Sequence, residues 1–296
     1  MSNRRKVLLG IAAFYVLGLV LLAVVFGVTQ HKNDAYQIQN EFKLINWVSL
    51  GLLSINRAVL YLFLASILTV ITMVYIAGRM QARPNRVQTA VEVIYSLMRD
   101  NITRGNMPDE MAAKWFPFLG TLFLFIWYCN LIGYLPLPTN SEEKFNVLGA
   151  HIPSFALYAA TANISVPLVL ALVVFIAFNA EGVRTQGPIG YMKSLVPGGL
   201  SGIGAVALGI LEGISTVMRL ISLTVRLFAN ILAGHMIILF MSGGLAVILG
   251  LQVLGWFTLP FGILVYLFEL GLVATLQAFI FATLSAIYLG GAVTHH

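Results

Sequence analysis

Residues 209–240 read GILEGISTVMRLISLTVRLFANILAGHMIILF, placing Glu212, Arg219, Arg226 and His235 among strongly apolar neighbours. A charge at the centre of a membrane helix costs on the order of 3 kcal/mol on insertion scales, so this set points to function rather than packing. At about 100° per residue, measured from Arg226, Glu212 falls at about +40°, Ser215 at about −20° and Arg219 at about +20°. Ser222 follows at about −40° and Asn230 at about +40°, so these residues form one narrow stripe. His235 lies about 180° away and faces a different neighbour.

A continuous helix over 203–241 would be about 58 Å long, nearly twice a hydrocarbon core of about 30 Å. Such a helix must tilt by on the order of 60° from the normal, which lays the stripe across the membrane plane. Whatever it faces there should be wide or curved and should carry a countercharge.

Composition agrees. Of 296 residues, 59% are hydrophobic and 9% charged, against roughly a quarter charged in a soluble domain. Charge-free runs long enough to span occur at 7–28, 58–78, 115–135 and 155–180, and 199–243 and 245–294 complete a single polytopic membrane domain over 1–296. The expected fold class is an all-α integral membrane protein of about six helices, with its last two stretches forming a long tilted hairpin. No soluble catalytic domain is left over.

The net charge of +6 does not mark a nucleic-acid partner, because the basic residues sort by loop. Arg4, Arg5 and Lys6 precede the first span, and Arg79, Arg83, Arg86, Arg99, Arg104 and Lys114 follow the second, so both segments read as cytoplasmic. Alternation puts 29–56 and 136–154 outside and 181–198 inside. The basic start and apolar run at 7–28 also fit a signal peptide, but its length and the Thr29-Gln30-His31 that follows favour a retained helix. Cys129 lies alone in an apolar run, which excludes a disulfide framework and reads as packing.

Residues 84–98 place Val87, Val91, Ile94 and Met98 on one face of an amphipathic cytoplasmic helix (84–100) opening at Pro84. It rests on the membrane surface or docks a partner subunit. In the fourth span, Thr161, Asn163 and Ser165 bring polar groups near the outer face, and Pro167 is expected to interrupt the hydrogen-bond ladder. Asn163 is a possible water-lining residue. The last stretch adds Glu269 and Gln277, and a turn at Gly243-Gly244 would fold it back so that His235 meets them. Histidine and glutamate at membrane depth are typical of proton relays. The reading includes no cofactor and no metal; no phosphate-cradling lysine motif occurs, so any nucleotide chemistry belongs to other chains.

These residues resemble subunit a of the F-type ATP synthase. SLTVRLFANILAGH at 222–235 is similar to that family's arginine motif, LEG at 211–213 to its acidic position, and LQAFIFATLSAIYL at 276–289 to its C-terminal signature. NLIGYLP at 130–136, TANISV at 161–166 and PNRVQTAVE at 84–92 are weaker matches. The resemblance implies a stationary proton-translocating subunit, non-catalytic by itself, in which Arg226 faces a ring of small two-helix rotor subunits (subunit c). It further implies that Glu212 and Ser222 line a cytoplasmic approach, Asn230, His235, Glu269 and Gln277 the outer one, with Arg219 a possible addition. Peripheral-stalk subunit b, lipid and protons are the other implied partners, and a bacterial plasma membrane is favoured over an organelle inner membrane.

Two departures stand out. The N-terminal span is extra to many members, and Glu269 lies eight residues before Gln277 where seven are expected. Eight residues rotate by about 80° instead of about −20°, so either a local bulge restores the facing or Glu269 lies less directly in the path. The main alternative is a free-standing proton or sodium channel or antiporter; a scaffold for a respiratory complex is a third. The stripe carries only half of a carboxylate–arginine exchange, which favours a partner ring over a self-contained transporter.

Overall fold

The computed structural model describes residues 3–27, 42, 44, 46–50, 53–78, 85–147, 150–194 and 203–293. In chain order its elements are α1 (Asn3–Phe26), a hairpin of β1 (Asn46–Leu50) and β2 (Leu53–Asn56), α2 (Arg57–Gly78), and α3 (Arg86–Ser96) running into a π-helix, Leu97–Arg104. Next come α4 (Asp109–Gly133), β3 (Leu137–Val147) paired with β4 (Ala150–Ala156), α5 (Ser165–Gln186), α6 (Pro188–Ser194) and α7 (Ile203–Leu239). The chain continues through a π turn, Phe240–Gly244, to α8 (Leu245–Leu249), α9 (Gln252–Phe268), a second π turn, Glu269–Val273, and α10 (Ala274–Gly291).

Six helical stretches among the described residues are long and apolar enough to cross a membrane: Arg5–Val25, Arg57–Gly78, Asp109–Gly133, Ser165–Gln186, Val206–Leu249 and Gln252–Gly291. The protein is therefore an all-α integral membrane protein, and among the described residues strands are confined to two antiparallel hairpins between spans.

The helices divide into two compact units, one of Met1–Lys43 with Ala233–Gly271, the other of Leu44–Leu232 with Leu272–His296. In the second unit α4 is the most buried span and packs against α2, α10 and the first π-helix. Its contact with α2 is a cluster of Ala58, Tyr61, Ala65, Cys129, Ile132, Tyr158 and Ala160. Tyr61 and Tyr158 meet edge to face at 5.7 Å, and the buried Arg57 guanidinium lies 4.5 Å from the Tyr158 ring centroid. Burial pushes the Tyr158 phenol up to about 12, against the opposing pull of Arg57. Lys114 on α4 pairs with the buried Glu181 on α5.

α4 ends in a close approach. A Cβ on Gly133 would lie 2.7 Å from Cα of Ala159, a backbone atom that cannot swing aside. Gly133→Ala should therefore destabilise the protein by about 2 kcal/mol, in the range for overpacked cores, read as a lower melting temperature of the solubilised complex at unchanged helix content.

Several boundaries differ from the sequence expectation. The fourth span begins at Ser165 rather than 155, because 150–156 pair as β4 and Ala160–Ala162 form a 3₁₀ turn. Pro167 consequently sits in the first turn of α5, where its missing N–H interrupts no ladder. Thr161 and Asn163 precede that helix: Thr161 Oγ1 donates to Asn130 Oδ1 at 2.7 Å, and Asn163 Oδ1 accepts from the Ser165 amide at 3.1 Å. The third span starts earlier than 115, at Asp109, whose carboxylate with that of Glu110 suits a helix N-terminus. α3 is capped by Asn85, whose side chain accepts from the Gln88 amide at 2.8 Å; Pro84 lies outside the described residues, as do 28–41, 79–83 and 195–202. The break expected at Gly243-Gly244 is present as a kink, Gly243 leaving helical geometry at φ 163° and ψ −20°, and the chain turns again at Gly250, which takes up φ 68°.

Candidate functional site

α7 carries the stripe. Thr216, Leu223, Thr224, Leu227 and Ile231 are buried, whereas Ile210, Ile214, Val217, Met218, Ile221 and Val225 are exposed. At about 100° per residue the buried set centres about 110° to one side of Arg226 and the exposed set about 130° to the other. Arg226 therefore sits on the border of the two faces and is half-buried, with the exposed Ser222 and Asn230 a turn away on either side. Among the described residues its guanidinium makes no hydrogen bond and no ion pair.

The neighbouring arginine differs. Arg219 Nη2 donates to Glu212 Oε1 at 2.8 Å, both side chains being more than a third exposed, and its guanidinium lies 5.7 Å from the Tyr288 ring. Two turns of helix bring the partners to one side, so Arg219 neutralises Glu212. Beside them Tyr191, whose ring covers Gly182, donates its hydroxyl to Asn179 Oδ1 at 2.9 Å. Burial raises the Tyr191 phenol's pKa, Arg219 lowers it and Glu212 raises it. Neither Tyr191 nor Asn179 has a sequence signal that singles it out; only the fold brings α6 to this spot.

A second cluster forms around Gly234. Any Cβ at that position would collide with both carboxylate oxygens of Glu269, so the Glu269 side chain lies flat on bare backbone. His235, the next residue, is fully buried, and Glu269 is buried too. The fold-back thus brings Glu269 against Gly234, the residue before His235.

The spacing anomaly also has a physical answer. Glu269–Val273 is a π turn, which holds more residues per turn than an α-helix. The extra residue between Glu269 and the buried Gln277 is taken up inside the helix, the local bulge that the eight-residue spacing left open. Asn130, fully buried, links this helix to the outer segment: its Nδ2 donates to the Ala274 carbonyl at 3.2 Å while Oδ1 accepts from Thr161. Asn163, the possible water-lining residue, is half-buried and accepts at Oδ1 from the Ser165 amide.

Membrane-length helices bearing buried ionisable groups, and an arginine unpaired among the described residues, fit the class of ion-conducting membrane proteins. The ATP synthase A chain family profile matches residues 59–290. The ATP synthase subunit a of Rubrobacter xylanophilus is 35% identical over 239 residues, covering 80% of this chain and 83% of its own. That of Maricaulis maris is 33% identical over 81% of this chain and 89% of its own, and that of Pelagibacter ubique 29% identical over 89% and 96%. The chain belongs to the ATP synthase A chain family, and it is a membrane subunit of that complex.

Proposed function

We propose that Arg226 is the fixed charge with which this chain, the proton-translocating stator subunit of an ATP synthase membrane sector, strips protons from carboxylates on a rotor. The observation that carries this is the half-buried guanidinium without a partner among the described residues. Arginine stays protonated in proteins, so Arg226 is a gate and never a carrier.

A rotor carboxyl crosses lipid only when neutral. Next to Arg226 the positive charge favours the carboxylate, which releases its proton to one aqueous approach and takes another from the second approach as it moves on. The same charge repels a proton moving straight between the two approaches. Each proton carries roughly 2.3 kcal/mol per 100 mV, the source of the rotation.

Glu212 and Ser222 serve the cytoplasmic approach, with Arg219 holding the Glu212 charge; Asn230, His235, Glu269 and Gln277 serve the outer one. The partners are a ring of small two-helix subunits (subunit c) against the exposed apolar face of α7, and peripheral-stalk subunit b. The chain works in a bacterial plasma membrane and performs no catalysis by itself. A free-standing channel or antiporter is disfavoured, since the stripe lacks its own central carboxylate pair.

The face is testable. Single cysteines replacing Ile221 and Val225, both exposed, should cross-link to a small ring subunit in native membranes, while one replacing the exposed Val70 of α2 should not. Cross-linking from α2 but not from α7 would refute the assignment.

A further inference from the structure

α9 has a defect built into it. Pro260 stands in its interior, and a proline there has no N–H for the carbonyl four residues earlier, here that of Trp256, while its ring pushes that carbonyl outward. In hydrocarbon such a group has no water to turn to, so a partner must come from protein.

That partner is on α1. The Tyr15 hydroxyl donates to the Phe257 carbonyl at 2.7 Å and lies 3.3 Å from the Trp256 carbonyl, within reach of both. The Tyr15 and Phe257 rings pack at 6.3 Å. Tyr15, Gly18, Leu19, Leu22 and Ala23 are half-buried, a helical stripe with the period of one contact face. Around them Val16, Leu17, Val20, Leu21 and Val24 stay exposed. On another side α9 is held by glycines: a Cβ on Gly262 would lie 3.4 Å from Met241, and one on Gly255 3.0 Å from Ala246. α1 itself falls outside the family match, which begins at residue 59.

We infer that α1 is a working clamp on α9: Tyr15 is a positioning residue that supplies the hydrogen bond removed by Pro260 and so holds α9 in place. Residues 3–26 accordingly stay in the assembled protein, because their removal would leave the Trp256 carbonyl against lipid. The clamp stands whether or not Glu269, one residue beyond α9, carries protons.

A double-mutant cycle in the intact complex separates this from simple packing. One hydrogen bond of typical net strength is worth a factor of roughly five in an equilibrium. Tyr15→Phe keeps the ring and removes the donor, and should speed the thermal loss of ATP-driven proton pumping roughly fivefold. Pro260→Ala restores the backbone N–H, so in that background Tyr15→Phe should change the rate less than about twofold. An equal effect in both backgrounds, or none in the native one, overturns the inference. So does an intact mass of the purified chain showing that residues 3–26 have been cut away. The initial pumping rate before heating reports on the proton path separately.

Discussion

Membranes carrying Arg226→Ala should hydrolyse ATP at their soluble heads yet pump no protons. Two unit charges at 4 Å interact by about 4 kcal/mol at an effective dielectric near 20, which is about a thousandfold in the ionisation of a facing carboxylate. Without that bias a rotor carboxyl arriving at α7 keeps its proton and passes through unexchanged. The cation has no carboxylate partner among the described residues, so its removal orphans none of them, and the complex should assemble at normal yield. Quenching of a pH-sensitive dye on ATP addition, set beside phosphate release from the same vesicles, reads both halves. Normal pumping would show that Arg226 is a packing residue.

Gly234→Ala should slow proton flux at least tenfold while leaving assembly intact. The added methyl lands on the Glu269 carboxylate, the end of a flexible side chain, so the carboxylate swings away and the helix survives. Alanine in place of glycine inside a helix is itself favourable by about 0.5–1 kcal/mol, so stability should rise slightly as flux falls. A displacement of about an ångström at a group that must meet its partner costs up to about a hundredfold. Glu269→Asp shortens the side chain by one methylene and makes room; added to Gly234→Ala, it should recover part of the flux measured under an imposed potential. Unchanged flux in Gly234→Ala would place Glu269 and its His235 neighbourhood outside the path.

The stripe on α7 was legible because lipid penalises charge: Glu212, Arg219 and Arg226 stand out in an apolar run whatever the tertiary structure. The Arg219–Glu212 pair follows from the same period. Other features carry weaker or misleading signals. Gly243-Gly244 marks a kink, with Gly243 outside helical geometry, while the further turn at Gly250 is flanked by Leu249 and Leu251 with no polar marker. The π turn at 269–273 surfaces in the sequence only as a spacing one residue too long. β3 and β4 lie in a segment rich in Pro, Asn and Glu, which reads as loop because its pairing depends on a partner strand and not on local pattern. Arg57 looks like the edge of a span; its burial against Tyr158 requires the fold. Tyr15 passes for an ordinary aromatic in an apolar helix until the proline it serves, far away in sequence, is brought beside it.

Among the described residues Arg219 and Lys114 find their counterions and Glu269 is tucked against Gly234, whereas Arg226 has no counterion. The most direct measurement is ATP synthesis by vesicles carrying the complete complex with Arg226→Ala, driven by an acid–base jump, beside wild-type vesicles of equal subunit content. The account predicts no synthesis above the uncoupled background together with undiminished ATP hydrolysis by the heads. Synthesis at the wild-type rate would contradict it.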